Sequence, residues 1–208
     1  MTDGNFTVFL VDDDPGVLKA LSRLLRARGF EVQAFTSPQA FLASHEASIP
    51  GCAVFDVSMP GLDGLELQQA LSAGGSQRPV IFLTGKGDIP TSVRAMKAGA
   101  IDFLTKPVND DDLLAAISRA EKEDAVTRRA NAELDSINAR FAILTPRERE
   151  VMTHVIAGRL NKQIAGDLGT VEKTIKVHRG RVMEKLGVRS VADLVRLAEK
   201  AGISRSRP

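Results

Sequence analysis

The sequence predicts an α/β domain, a five-stranded doubly wound parallel sheet, joined by a long helical linker to an all-α domain of four helices. Three observations lead there. Over residues 6–107, short β-branched or aromatic runs alternate with amphipathic helical segments. From Asp110 onward the pattern turns helical and stays so. Charge is also uneven along the chain. Residues 1–123 hold 11 Lys+Arg against 16 Asp+Glu (net −5), and residues 124–208 hold 17 against 10 (net +7), giving +2 over 208 residues. An acidic half joined to a basic half points to two domains with different partners, the basic one suited to phosphate backbones.

The elements follow in order. Phe6–Val11, Glu31–Phe35, Cys52–Asp56, Pro79–Thr84 and Ile101–Leu104 read as strands. Between them Val17, Leu18, Leu21, Leu24 and Leu25 recur at helical spacing, as do Leu65, Leu67 and Leu71. Strands separated by helices imply a parallel sheet covered on both faces. Asp14-Pro15 is an N-cap followed by proline at the first helical position, so a helix starts directly after strand one. Leu113, Leu114, Ile117 and Ala120 form one helical face, after which Glu121–Arg140 is polar, and neither Gly nor Pro occurs from Val108 to Thr145. This stretch reads as the last helix of the first domain running into a charged linker, either a solvated connector or a weak coiled-coil dimer seam. Thr145-Pro146-Arg147-Glu148 opens a fresh helix. Further helical runs cover about 146–157, 161–168, 171–186 and 190–201, and Ser204–Pro208 is expected to fray. The domains are thus 1–122, a linker over 123–141, and 142–208.

Composition narrows the class. Hydrophobic residues at 43% and charged residues at 26% are ordinary for a globular protein. No apolar run approaches the ~20 residues of a membrane helix, and Met1-Thr2-Asp3-Gly4 leads into no apolar signal core. The lone Cys52 cannot form an internal disulfide and suits a reducing compartment. The expectation is a cytoplasmic protein with no membrane partner. His45 is expected at the surface, His154 and His178 in packing or phosphate contact, and Cys52 in the core.

In a doubly wound sheet, chemistry gathers at the carboxyl ends of the strands. Strand one ends in Asp12-Asp13-Asp14, strand three in Asp56, strand four in Thr84 and strand five in Thr105-Lys106-Pro107. Carboxylates crowded in one crevice raise one another's pKa unless a cation offsets them. A hard divalent ion with oxygen ligands, Mg²⁺, answers that need. Carboxylate, metal and lysine together make a phosphoryl-transfer site: Asp56 attacks, Mg²⁺ and Lys106 offset the developing charge, and Thr84 donates to a new oxyanion.

These residues resemble a known family. Phe9-Leu10-Val11-Asp12-Asp13, Phe55-Asp56-Val57-Ser58-Met59-Pro60-Gly61, Leu83-Thr84-Gly85 and Lys106-Pro107 look like the receiver domain of bacterial two-component response regulators, over residues 6–122. The resemblance implies a flavodoxin-like sheet of order 2-1-3-4-5 and a sensor histidine kinase that phosphorylates Asp56. It implies Mg²⁺ held by Asp13, Asp56 and the Ser58 carbonyl, with Asp12 helping through water. Thr84 would follow the phosphoryl group, Phe103 would be the coupled aromatic, and Lys106-Pro107 would be cis. Ser58 and Lys86 flank the site and would tune the phosphoaspartate lifetime. Gly85 stands where Ala is frequent and Phe103 where Tyr is frequent.

In the basic half, a wheel over Val171–Leu186 puts Val171, Ile175, Val182 and Leu186 on a core face. The opposite side presents Lys173, Lys176, Val177 and Gly180, with Thr174 and Arg181 on one shoulder and Arg179 nearer the other edge. Cations with one apolar Val suit a major groove, where Val177 could meet a thymine methyl. Leu144-Thr145-Pro146-Arg147-Glu148-Arg149-Glu150-Val151, Asn161-Lys162-Gln163-Ile164-Ala165 and Val171-Glu172-Lys173-Thr174-Ile175-Lys176-Val177-His178 look like a LuxR-type DNA-binding domain over 142–203. With the receiver, this resembles the FixJ-like branch of the NarL/FixJ response regulators. The resemblance implies that the third helix is the recognition helix; the expected DNA contacts are Lys173, Thr174, Lys176, Val177, Arg179 and Arg181 on it and Lys162 on the helix before it. It also implies a last helix used in dimerisation on DNA. Gly180 departs from the longer polar residue frequent there.

The function expected is a phosphorylation-switched transcription factor, not an enzyme beyond its own phosphorylation and dephosphorylation. It would dimerise when phosphorylated, bind double-stranded DNA, and have RNA polymerase as a further partner. The alternatives are a DNA-binding regulator with a vestigial receiver and a Mg²⁺-dependent phosphotransferase acting on a small molecule.

Overall fold

The structure, a computed structural model, describes residues 6–85 and 89–203, so Lys86 and Ser204–Pro208 lie outside the described residues. Five strands, β1 (Thr7–Val11), β2 (Glu31–Phe35), β3 (Gly51–Asp56), β4 (Val80–Thr84) and β5 (Asp102–Thr105), form one sheet of order β2-β1-β3-β4-β5. All four pairings are parallel. β1, β3 and β4 are buried along their whole length, as strands covered on both faces must be, and their sequences are near-continuous apolar runs.

Alternate residues of each strand serve opposite faces. Val8 and Leu10, Cys52 and Val54, and Ile81 and Leu83 pack under α1 (Pro15–Ala27) and the first turns of α5 (Asp110–Ala142), against Leu18, Leu21, Leu25, Leu113 and Ile117. Phe9, Val11, Ala53, Phe55 and Phe82 face the other way. They meet α2 (Pro38–Ser44), α3 (Gly64–Ala73) and α4 (Ile89–Lys97) through Phe41, Leu65, Leu67, Leu71 and Ala95. The helix starts are fixed locally: Asp14 Oδ1 accepts from the Gly16 amide at 2.7 Å, and Asp63 and Glu66 form a reciprocal capping box.

The chain divides between Arg128 and Arg129. The first body therefore keeps α5 six residues beyond the expected boundary at 122, and the second body begins inside the expected linker, where Ile137 and Phe141 are core residues. That body holds α6 (Pro146–Ile156), α7 (Asn161–Asp167), α8 (Glu172–Leu186) and α9 (Val191–Lys200) around Val151, Ile164, Ile175, Val182, Leu186 and Leu194.

Two expectations need correction. Val171 is not on the core face: it is the N-cap of α8, outside the helical repeat, and 65% exposed. His45 is half-buried against Phe9 and Phe41, not at the surface, and burial together with the nearby Arg78 charge lowers its pKa.

Candidate functional site

The carboxyl ends of β1, β3, β4 and β5 converge on one acidic pocket. Asp12, Asp13 and Asp56 bring carboxylate oxygens within 4.8 Å of one another. Asp12 and Asp56 are buried and Asp13 is exposed. The Lys106 ammonium reaches between the two buried groups, 2.6 Å from Asp12 Oδ2 and 2.9 Å from Asp56 Oδ1. Asp12 Oδ1 also accepts from the Asp14 amide at 2.9 Å, which holds the carboxylate in place at the mouth of α1. Burial alone would lower the Lys106 pKa, but hydrogen bonds to Asp12 and Asp56 and their charges outweigh it and hold it above the ordinary value.

The remaining pocket positions are set by the strand ends. The Lys106 amide donates to the Thr84 carbonyl at 2.7 Å, joining β5 to β4, and Thr84 itself is buried. The Lys106-Pro107 bond is cis. Ser58 is exposed beside Asp56, and Phe103 is half-buried with its ring centroid 6.2 Å from that of Phe82. Gly64 seals the underside, because a Cβ built there would overlap the Asp56 carbonyl oxygen. Three carboxylates against one ammonium leave the pocket with two uncompensated negative charges if all are ionised. The donors are all hard oxygens, so the residues present fit a single divalent ion such as Mg²⁺.

The second candidate site is the outer face of α8. Lys173, Lys176, Val177 and Arg181 are exposed there, Thr174 is half-buried, and Lys162 is exposed on α7. Val177 is 47% exposed, a large apolar side chain left uncovered among cations. Lys176 lies 3.4 Å from Glu172 one turn earlier. Gly180 opens onto empty space. Arg179 is the outlier. It is half-buried and donates to Asn161 Oδ1 at 3.1 Å, tying α8 to the start of α7.

Residues that sequence reasoning passed over hold α8 in place. Glu148 is buried, accepts from Lys185 Nζ at 2.7 Å and from the Thr145 amide at 2.9 Å, and so joins α6 to the far end of α8. The Lys185 hydrogen bond, then the Thr145 amide, pull the Glu148 pKa down to about 2. Arg140 donates to the Leu186 carbonyl, and Gly187 at φ 63° ends the helix in the left-handed conformation. Glu148 was legible only as half of a capping box; its second partner is 37 residues away.

Comparison with known proteins agrees with this geometry. Residues 8–118 match the response regulator receiver domain, and residues 142–198 match the luxR family of bacterial regulatory proteins. Nodulation protein W of Bradyrhizobium diazoefficiens is 45% identical over 197 residues, covering 95% of this chain and 87% of that protein. Transcriptional regulatory protein FixJ of the same organism is 44% identical over 196 residues, covering 94% and 96%. The solved structure of the response regulator StyR, 48% identical, superposes with a TM-score of 0.81 over 95% of this chain and all of that one. A receiver and a LuxR-type domain in one chain define a DNA-binding transcriptional response regulator. The chain belongs to the NarL/FixJ family of two-component response regulators. Among the described residues, no helix is long and apolar enough to cross a membrane.

Proposed function

We propose that Asp56 is the phosphoacceptor. A carboxylate oxygen of Asp56 attacks the phosphorus of a phosphohistidine on a sensor kinase, the P–N bond breaks, the imidazole leaves, and an aspartyl phosphate remains. Lys106 keeps its charge against the oxygens that gain negative character, and the Thr84 hydroxyl donates to one of them. Asp12, Asp13, Asp56 and the Ser58 carbonyl would hold Mg²⁺, which when bound supplies a divalent charge that stabilises the transferring phosphoryl group. The observation that carries this reading is the Lys106 ammonium at 2.6 and 2.9 Å from two buried carboxylates, with Asp13 completing the donor set. The chemistry is confined to the protein's own phosphorylation and dephosphorylation.

The output follows from the same strand ends. Thr84 moves toward the phosphoryl group, Phe103 turns inward, and the face made by α4, β5 and α5 changes shape. Ile89, Val93 and Met96 on α4 are exposed apolar side chains that a second copy would cover. In the dimer, each α8 enters a major groove with Lys173, Thr174, Lys176, Val177 and Arg181 toward the DNA and Lys162 on phosphate. The half-sites lie about one helical turn, ~34 Å, or a multiple apart. Arg179 contacts DNA with the donors that Asn161 leaves over. By function the chain is a receiver over 1–122, a connector over 123–141 whose first turns stay docked on the first body through Arg128 and whose end packs into the second through Ile137 and Phe141, and a DNA-binding domain over 142–208, acting in the cytoplasm with RNA polymerase as a further partner. The test is sedimentation and DNA titration of wild type and Asp56→Asn, with and without beryllofluoride. Wild type alone should dimerise and tighten on DNA; no response in wild type overturns the reading.

A further inference from the structure

Between Ala120 and Ile137, α5 buries no apolar side chain. By hydrophobic pattern alone, the first body should release the helix after Ala120. It does not, and what holds it is polar. Arg128 Nη1 donates to the Ser48 carbonyl at 2.9 Å, Nη2 donates to Ala47 and Ile49 at 3.0 and 2.5 Å, and Nε donates to Asp124 at 2.8 Å. Asp124 is itself buried and accepts from the Gly51 amide at the head of β3, at 3.3 Å. Arg78 completes the socket from the other side, donating to the Glu46 and Ile49 carbonyls at 2.8 and 3.0 Å while lying over the Phe9 ring. Four successive carbonyls, residues 46–49, thus turn toward two guanidiniums.

We propose that Arg128 is a pin that sets the length of the connector between the two bodies, its guanidinium plugged into the carbonyl socket of residues 46–49. Beyond it, residues 129–136 bury no side chain, and Lys200 of α9 reaches them only through an exposed ion pair to Glu133 at 2.5 Å, a contact that adds little. Such a segment is marginal as a helix in isolation. With the pin seated, the connector is the eight residues 129–136; with it withdrawn, α5 is unsupported from 121 and the connector doubles to sixteen. For two tethered DNA-binding units, doubling a flexible connector lowers the effective concentration of the second about threefold, by the −3/2 power of length. That last consequence rests on the dimer proposed above; the pin itself does not. Lysine should serve poorly as a replacement, because a point charge cannot fork to three carbonyls and a carboxylate.

Hydrogen exchange on the full chain tests it. In Arg128→Met, amides 121–128 should exchange on the order of a hundredfold faster, approaching those of 129–136. Amides of 110–120 and of the sheet should keep their protection. Asp124→Asn should loosen the same window less, and Arg128→Lys should recover part of what Arg128→Met loses. Uptake of one phosphoryl group from acetyl phosphate, read by intact mass, should persist in all three variants. Wild-type protection of 121–128 in Arg128→Met overturns the proposal, as does a loss spread evenly through the sheet. A wild type that takes up no phosphoryl group refutes the function reading while leaving the exchange result to stand.

Discussion

Replacing Glu148 with Gln tests whether a buried ion pair holds the recognition helix. The carboxylate accepts from Lys185 Nζ at 2.7 Å and from the Thr145 amide at 2.9 Å, and is only 3% exposed. Its pKa falls from 4.5 to about 2, the Lys185 hydrogen bond being the main cause. At about 1.4 kcal/mol per pH unit, that difference corresponds to at most about 3.5 kcal/mol. The Lys185 side chain is 33% exposed, so solvent screening reduces the expected loss to about 1–2 kcal/mol. The sign follows from the depressed pKa: the contribution is complete above the unfolded value of 4.5 and is lost as pH falls through about 2. The chain has no Trp or Tyr to serve as a fluorescence probe, so melting is best followed through the amide resonances of Val151 and Ile175. Glu148→Gln should melt on the order of 5–10 °C lower at pH 7. The gap should narrow below pH 4.5 and close near pH 2. Equal melting at pH 7, or a gap that ignores pH, refutes the argument.

Three further outcomes are expected. Gly64→Ala forces a methyl group onto the Asp56 carbonyl and to 3.2 Å from the Phe82 ring, so it should cost about 1–3 kcal/mol and slow phosphorylation by acetyl phosphate. A melting curve and a phosphorylation rate both equal to wild type would contradict this. Lys176→Ala should weaken DNA binding across sequences and lower the salt slope by roughly 1 if the lysine contacts phosphate; an unchanged slope rules that contact out. Cys52 is buried and its thiol is pushed up to about 12, mainly by burial, so labelling by a thiol reagent at pH 8 should proceed only as fast as the sheet opens. Immediate stoichiometric labelling would contradict the packing.

What the sequence showed and what it hid follow a physical line. Strands and caps are local: Asp14 before Pro15 and Thr145 before Pro146 announce their helices, and the apolar runs of β1, β3 and β4 announce a sheet buried on both faces. The acidic pocket was legible because its four parts sit at strand ends, where a doubly wound sheet must bring them together. Long-range polar partners were not legible. Asp124 and Arg128 lie in a charged run that reads as solvated; the partners that hold them, the Gly51 amide for Asp124 and the carbonyls of 47–49 for Arg128, lie some 70–80 residues earlier. Arg179 reads as an edge cation until Asn161 is placed beside it. Val171 misled because wheel periodicity does not hold at an N-cap.

The central claim is that the pocket around Asp56 takes up a phosphoryl group. Intact mass after incubation with Mg²⁺ and acetyl phosphate, on wild type and Asp56→Asn, tests it most directly. The account predicts one added phosphoryl group that requires Mg²⁺ and is absent from the variant. The same gain in Asp56→Asn, or no gain in wild type with either acetyl phosphate or a phosphorylated sensor kinase, would contradict it.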